Sequence, residues 1–371
     1  MKVLFFLSDL DGGGAQRTIV NLANKMSELG MHPTLVVARG GGPAQNWLNE
    51  HIPLVELGVN RTRYAVMGLR KELLRSQPDV LFATMVDANI VATLASIGLR
   101  RQMQLILRET NSHRARGDIQ GVRRTLIGWA YRRADAVVAL SSGVRKELLS
   151  DYQLDDGKVV TIGNPVDVEK LAAARQAAIR NTRPFPTGEP VVIAVGRLTH
   201  QKGFDILIKA FAQIKHSAKL VILGEGPDRG RLIDLAEEEE IVDRLIMPGF
   251  VPDPAAWLAH ADVFVLSSRW EGFGHVIVEA MAAQVPVIAT DCPYGPADII
   301  KNGHNGLLVK EGDPSAMAAA IEELLENKEK AADFKWAAIV DIKKFDVKEI
   351  VNQYSNLFHC NQLCNVQITQ I

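Results

Sequence analysis

Residues 191–203 read Val191-Val192-Ile193-Ala194-Val195-Gly196-Arg197-Leu198-Thr199-His200-Gln201-Lys202-Gly203. Five apolar residues, four of them β-branched, run into a glycine-flanked turn that carries two cations, and a helical pattern follows. That order is a strand, a short loop and a helix, the repeating unit of a parallel sheet covered by helices. Arg197 and Lys202, five residues apart at a strand end, suit a diphosphate whose negative charge grows as it leaves. An exposed basic loop is the competing reading of the same residues.

The alternation continues on both sides. Downstream, 219–223, 262–266 and 285–289 read as strands with helices between them; upstream, so do 2–8, 33–38, 79–85, 104–107 and 136–140, and 16–29 has helical spacing. Near-continuous apolar strands separated by helices predict parallel sheets buried on both faces. Three prolines and a glycine within 181–190 mark a linker, because proline denies the chain both helix and sheet interior. The expected organisation is therefore an N-terminal domain over 1–183, a C-terminal domain over 184–345, and 346–371 as a helix crossing back to the N-terminal domain followed by an irregular tail. A chain of 371 residues is also too long for one ordinary core.

An apolar fraction of 47% and a charged fraction of 23% exclude a largely disordered chain. Three cysteines form no disulfide framework, and Cys360 and Cys364 without a second pair make a poor metal site. No apolar run reaches the roughly 20 residues a bilayer span needs, and 3–7 is too short for a signal-peptide core. The expectation is a cytoplasmic protein, able to sit at the inner face of the membrane without crossing it. The net charge of −1 conceals about +8 over residues 1–185 against about −9 over the rest. Nine arginines from Arg100 to Arg133 meet only Glu109 and Asp118. They read either as a solvated helical face or as a surface for an anionic membrane or phosphorylated acceptor. The segment lacks interleaved aromatics and a recognised motif, which argues against nucleic acid.

Two further clusters fall at strand ends, where doubly wound sheets bind ligands; with two such domains the cleft between them is the expected site. Asp11-Gly12-Gly13-Gly14-Ala15-Gln16-Arg17 opens a helix, so its glycines allow close backbone approach and its free N–H groups suit an anion. It is not the dinucleotide fingerprint, since Arg17 occupies the next required glycine position. Ser267-Ser268-Arg269-Trp270-Glu271-Gly272-Phe273-Gly274-His275-Val276-Ile277-Val278-Glu279 places two acids eight residues apart. At 1.5 Å per helical residue they stand roughly 12 Å apart. That is too far for a shared proton, but it suits one long ligand gripped at two places.

These motifs, in this order, together with Gly224-Glu225-Gly226-Pro227, resemble the retaining glycosyltransferase family 4, glycosyl transferases group 1, over nearly the whole chain to about residue 358. The resemblance implies the GT-B fold: two Rossmann-like doubly wound α/β domains whose parallel sheets face each other across a cleft. It implies transfer of a sugar, hexosyl or N-acetylhexosaminyl, from a nucleotide-sugar donor (UDP rather than GDP) to a carbohydrate or lipid-linked saccharide acceptor, with retention and without metal or other cofactor. Arg197, Lys202 and Glu271 would be catalytic: the two cations hold the diphosphate and Glu271 touches the transferred sugar. Phe273 and Gly274 would give main-chain contacts to that sugar, Glu279 would accept from the ribose hydroxyls, and Gly13 and Gly14 would close on the phosphates. The family's N-terminal histidine has Thr110 or Asn111 at the matching place, with His113 nearby, so the residue serving the donor sugar stays open among these three. A non-hydrolysing sugar-nucleotide epimerase of the same architecture and a two-domain solute-binding protein are the alternatives.

Overall fold

A computed structural model describes the chain except for residues 100–102, 118, 181–182, 186–187 and 369–371; for 116 and 360–368 it describes the backbone only. Two compact units are present, one made of Met1–Pro165 with Val347–Ile371 and the other of Val166–Asp346. The division falls at Pro165, before the proline-rich linker. The reason is the helix Val168–Ile179, which is held by the second unit: Arg175 Nε donates to the Ala283 carbonyl at 2.8 Å, and His260 Nε2 lies 3.1 Å from the Ala178 carbonyl.

The first unit is a seven-stranded, all-parallel sheet ordered β3-β2-β1-β4-β5-β6-β7. Its strands are β1 Lys2–Leu7, β2 His32–Val37, β3 Leu54–Glu56, β4 Val80–Thr84, β5 Gln104–Glu109, β6 Ala136–Ala139 and β7 Val159–Thr161. Helices cover both faces, so β4, β5 and β6 are buried throughout, and β1 and β2 are buried beyond their exposed first residues except at the half-buried Thr34. Phe5 on β1 meets Phe82 on β4 edge to face, with ring centroids 5.4 Å apart. The last helix, Val347–Ile368, belongs to this unit and runs past Phe358. Its Ile350, Val351, Tyr354 and Phe358 recur at helical spacing and are fully buried against the same aromatics. The side chains of Cys360 and Cys364 lie outside the described residues.

The second unit is a six-stranded parallel sheet ordered β10-β9-β8-β11-β12-β13. Its strands are β8 Val191–Val195, β9 Lys219–Leu223, β10 Leu245–Gly249, β11 Val263–Leu266, β12 Val287–Thr290 and β13 Leu307–Val309. In both sheets the order reverses beside the first strand, which opens a crevice at the strand carboxyl ends. In the second unit those ends carry the Gly196, Ser267 and Thr290 segments. Each unit is thus a Rossmann-like layer of the expected class.

Candidate active site

The turn after β8 is built on backbone contacts. Gly196 N–H donates to the Leu223 carbonyl at 2.9 Å, and Leu198 N–H donates to the Glu225 carbonyl at 2.9 Å. This brings the turn so close to the exit of β9 that a Cβ on Gly224 would be driven into the Gly196 carbonyl. A 3-10 turn, His200–Lys202, then ends on Gly203 at φ +61°, where a Cβ would strike the Ser267 carbonyl. Only glycine fits that position.

The loop after β11 is locked onto this turn. Ser267 Oγ donates to the Lys202 carbonyl at 2.9 Å, Gln201 Nε2 to the Trp270 carbonyl at 3.0 Å, and Arg269 N–H to the Gln201 carbonyl at 2.8 Å. Arg269 also grips Asp205 with two parallel bonds of 2.9 and 2.7 Å. Burial pushes the Asp205 carboxyl up, but the guanidinium outweighs it and holds the group below the ordinary carboxylate range.

This scaffold brings Lys202 and Glu271 together. Lys202 Nζ lies 2.5 Å from Glu271 Oε1, which also accepts from Ser268 Oγ at 2.7 Å. Glu271 is 7% exposed, and its Oε2 has no partner among the described residues. Thr290 Oγ1 donates to the Ser268 carbonyl at 2.5 Å, tying the pair to the end of β12. Cys292, just beyond, has its thiol pushed up to about 12 by burial and then by the Glu271 carboxylate. Arg197 is exposed and has no side-chain partner among the described residues.

Phe273 is buried, its ring edge-on to Phe345 at 5.1 Å, so only its backbone is offered to a ligand. Gly274 at φ +90° opens the helix His275–Ala282, on which Glu279 sits 8% exposed with His275 Nε2 3.8 Å from its Oε1. The second unit therefore carries Arg197 and Lys202 on the segment after β8 and Glu271, Phe273, Gly274 and Glu279 on the segment after β11, and of these it brings Lys202 and Glu271 into contact. Sequence reasoning assigned no role to Ser268, Asp205, Arg269 or Thr290; the signal for them was the Ser267-Ser268-Arg269 run directly after a strand.

Gly13 and Gly14 belong to the first unit, where Gly13 caps the helix Gly14–Glu28 and both are exposed. At the end of β5, His113 is not presented to a ligand. It is 6% exposed, with Nε2 2.9 Å from Glu109 Oε2 and Nδ1 2.5 Å from the Tyr152 hydroxyl. Glu109 also accepts from the Tyr131 hydroxyl at 2.5 Å and from the amides of Thr110 and Asn111 at 2.9 and 3.2 Å. Burial pushes its carboxyl up, but His113 and these donors together hold it below the ordinary range. Thr110 and Asn111 are half-buried and remain the polar groups this loop can offer.

Among the described residues no group of three or more His, Cys, Asp or Glu side chains is placed to hold a metal ion. No described helix is long and apolar enough to cross a membrane.

A doubly wound parallel sheet with a cationic, glycine-flanked turn at its strand ends has the architecture of an α/β unit that receives ligands at that edge. The matching family models are more particular: Glyco_transf_4, Glycosyltransferase Family 4, over residues 12–170, and Glycos_transf_1, Glycosyl transferases group 1, over residues 175–340. The chain belongs to the GT-B glycosyltransferases of the family 4 type. It is 29% identical over 334 residues to the lipopolysaccharide core biosynthesis glycosyltransferase LpsE of Rhizobium meliloti, covering 88% of this chain and 89% of that one. It is 28% identical over 229 residues to a diphospho-undecaprenol 4-alpha-N-acetylgalactosaminyltransferase of Campylobacter jejuni, a match spanning 62% of this chain and 61% of that enzyme. Anabaena HepE, solved in complex with UDP, has the same fold, with a TM-score of 0.82 at 22% identity over 97% of this chain and all of that one.

Proposed function

We propose that the chain transfers a hexosyl or N-acetylhexosaminyl residue from a UDP-sugar to a hydroxyl of a polysaccharide or lipid-linked oligosaccharide precursor, with retention and without a metal. The observation that carries this reading is the Lys202–Glu271–Ser268 cluster at the carboxyl ends of β8 and β11, with Arg197 exposed on the same turn as Lys202 and unpaired among the described residues. Arg197 and Lys202 supply the fixed positive charge that a leaving diphosphate requires, as a divalent ion does in other transferases. Glu271 turns its open Oε2 to a hydroxyl of the transferred sugar, while Phe273 and Gly274 offer backbone groups. Glu279 accepts from the ribose. In the first unit, Gly13 and Gly14 present backbone N–H groups to an anionic group, and Thr110 or Asn111 serves a sugar hydroxyl.

Retention without a protein nucleophile follows a front-face route. The bond from the anomeric carbon to the diphosphate breaks as the acceptor oxygen bonds on the same side, and the departing phosphate oxygen takes the acceptor proton. Positioning and electrostatics then supply the rate. The acceptor class rests on the LpsE and Campylobacter relatives, and the UDP preference on the UDP bound in the HepE complex. A lipid-linked acceptor would place the protein at the inner, anionic face of the cytoplasmic membrane, with the stretch from Arg100 to Arg133 as its first candidate contact.

Thermal melts with UDP, GDP and their sugar conjugates test the donor half. A ligand at 100 times its dissociation constant adds about 2.7 kcal/mol to the folded state. UDP compounds should raise the melting temperature and GDP compounds should not. Stabilisation by GDP compounds alone reverses the nucleotide assignment, and no response to either removes the donor site.

A further inference from the structure

The second unit carries an open groove of about 570 Å³, lined by His304, Asn327, Glu329, Lys330, Asp333 and Trp336 among others. His304 lies in the turn that leads into β13. The helix Pro314–Glu326 then runs back from the carboxyl end of β13, so that Asn327 and the start of the next helix, Lys328–Asp341, return to the same level. The groove therefore opens at the amino edge of the sheet, the opposite edge from the strand ends that carry Lys202 and Glu271.

Glu329, Asp333 and Trp336 fall at i, i+4 and i+7 of the helix Lys328–Asp341 and share its outward face. At 1.5 Å per residue they extend over roughly 10 Å. That face is fixed by the inward one: Ala331, Phe334 and Ala338 are buried, and Asn327 caps the helix by accepting from the Lys330 amide at 2.9 Å. Trp336 is nevertheless 74% exposed. Glu329 and Asp333 are exposed too and have no side-chain partner among the described residues. The cations around them are engaged elsewhere. Lys330 Nζ lies 2.5 Å from Glu323 Oε1, Lys301 Nζ lies 2.8 Å from Asp341 Oδ1, and His304 Nε2 lies 3.5 Å from Asp341 Oδ2.

This chemistry selects its ligand. Two unanswered carboxylates repel phosphates, nucleic acid and anionic headgroups. No group of three or more His, Cys, Asp or Glu among the described residues is placed to hold a metal ion. Trp336 and Val340 are the large apolar side chains this helix exposes, a small area beside the roughly 800 Å² per partner that a standard protein interface buries. A neutral, hydroxyl-rich ring fits what remains: its C–H face packs on the indole while its hydroxyls donate to the carboxylates. We propose that this groove is a second saccharide site, which holds a neutral, non-reacting stretch of a glycan chain with one ring stacked on Trp336 and hydroxyls bonded to Glu329 and Asp333. It rests on the reading of a saccharide acceptor given above and adds a grip on that class of molecule remote from the reacting strand ends.

The full chain, labelled with nitrogen-15, is titrated with maltohexaose, cellohexaose, mannohexaose and chitohexaose while the indole N–H resonances of its five tryptophans are followed. The Trp336 signal, identified by its absence in Trp336→Ala, should move with at least one of these sugars. It should do so equally at low and high salt, because the ligand is uncharged. By calorimetry Trp336→Ala should lose about tenfold or more in affinity for that sugar. The pair Glu329→Gln, Asp333→Asn should lose about fivefold, as charged acceptors become neutral ones. A Trp336 signal that ignores all four sugars overturns the proposal, and so does unchanged affinity in the variants. A wild-type dimer that Trp336→Ala dissolves overturns it as well, since a second copy would then cover the groove. UDP melts on the same samples keep the two readings apart. Trp336→Ala should retain the full UDP response; a wild type that binds the hexasaccharide at Trp336 but does not respond to UDP defeats the transferase reading and leaves the groove its ligand.

Discussion

Each unit ends one of its parallel strands in a buried carboxylate beside a basic side chain, and the two sites use that pair in opposite ways. In the first unit Glu109 is saturated: a histidine, a tyrosine hydroxyl and two amides converge on it, and His113 is closed off by Tyr152 on its other nitrogen. In the second unit Glu271 spends one oxygen on Lys202 and Ser268 and keeps the other open among the described residues, while the exposed Arg197 has no side-chain partner among them. A polar network closed on itself holds a loop in place; one left with open valences at a strand end can take a ligand. The difference separates scaffold from chemistry where residue type alone does not.

The largest effect expected from this contrast is on turnover. Lys202→Ala or Arg197→Ala should reduce sugar transfer, or donor hydrolysis without acceptor, on the order of 10²-fold or more, as for loss of one preorganised donor to a developing anion. Near-normal rates in both variants would mean the diphosphate lies elsewhere.

Next in size is the closed network. Glu109→Gln leaves buried donors short of acceptors and should cost about 1–3 kcal/mol in urea unfolding. Its pH dependence has a definite sign. A carboxyl held below its unfolded value contributes stability that is present above the ordinary carboxylate range and is lost as pH falls through that range to its folded value. Acidification from neutrality should therefore weaken the wild type more steeply than Glu109→Gln. Parallel slopes would show that Glu109 is not the group responsible. Affinity for UDP itself, by contrast, should be nearly unchanged, since neither His113 nor Glu109 is assigned to the nucleotide.

The inward orientation of His113 was not legible in the sequence. His113 lies in a loop whose residues suit ligand binding as well as packing, and its place is decided by Tyr131 and Tyr152, distant along the chain. The strands show the same limit. The inner strands were readable as apolar runs, whereas Leu54–Glu56, Val159–Thr161, Leu245–Gly249 and Leu307–Val309 were not, and these four are the edges of the two sheets. Three of them have only three residues, and the fourth, Leu245–Gly249, is mostly half-buried and carries a proline, so no continuous apolar run marks any of them. The Arg197–Lys202 turn and the Glu271–Glu279 spacing were legible because they are local. The Lys202–Glu271 contact, 69 residues apart, was not.

A smaller effect is expected at the far end of the donor. Glu279→Ala should weaken UDP binding by about tenfold, or about 1.4 kcal/mol, as for loss of a hydrogen bond between a charged acceptor and ribose hydroxyls. Titration calorimetry reads this directly, and unchanged nucleotide affinity would contradict the ribose assignment.

The smallest effect, that of Arg197→Ala on stability, is the most discriminating when set beside Lys202→Ala. Lys202→Ala removes the cation from a carboxylate that is 7% exposed, so it should destabilise the fold by about 2 kcal/mol or more, moderated by the remaining Ser268 bond. Arg197→Ala breaks no contact among the described residues and should stay within about 0.5 kcal/mol of the wild type in thermal or urea unfolding. The two variants would then be alike in turnover and unlike in stability. A cation whose removal abolishes turnover without loosening the fold is committed to the ligand, and a cation whose removal does both is shared between ligand and scaffold. If Arg197→Ala destabilised as much as Lys202→Ala, Arg197 would be part of the scaffold and the two strand ends would not differ in the way their hydrogen bonds imply.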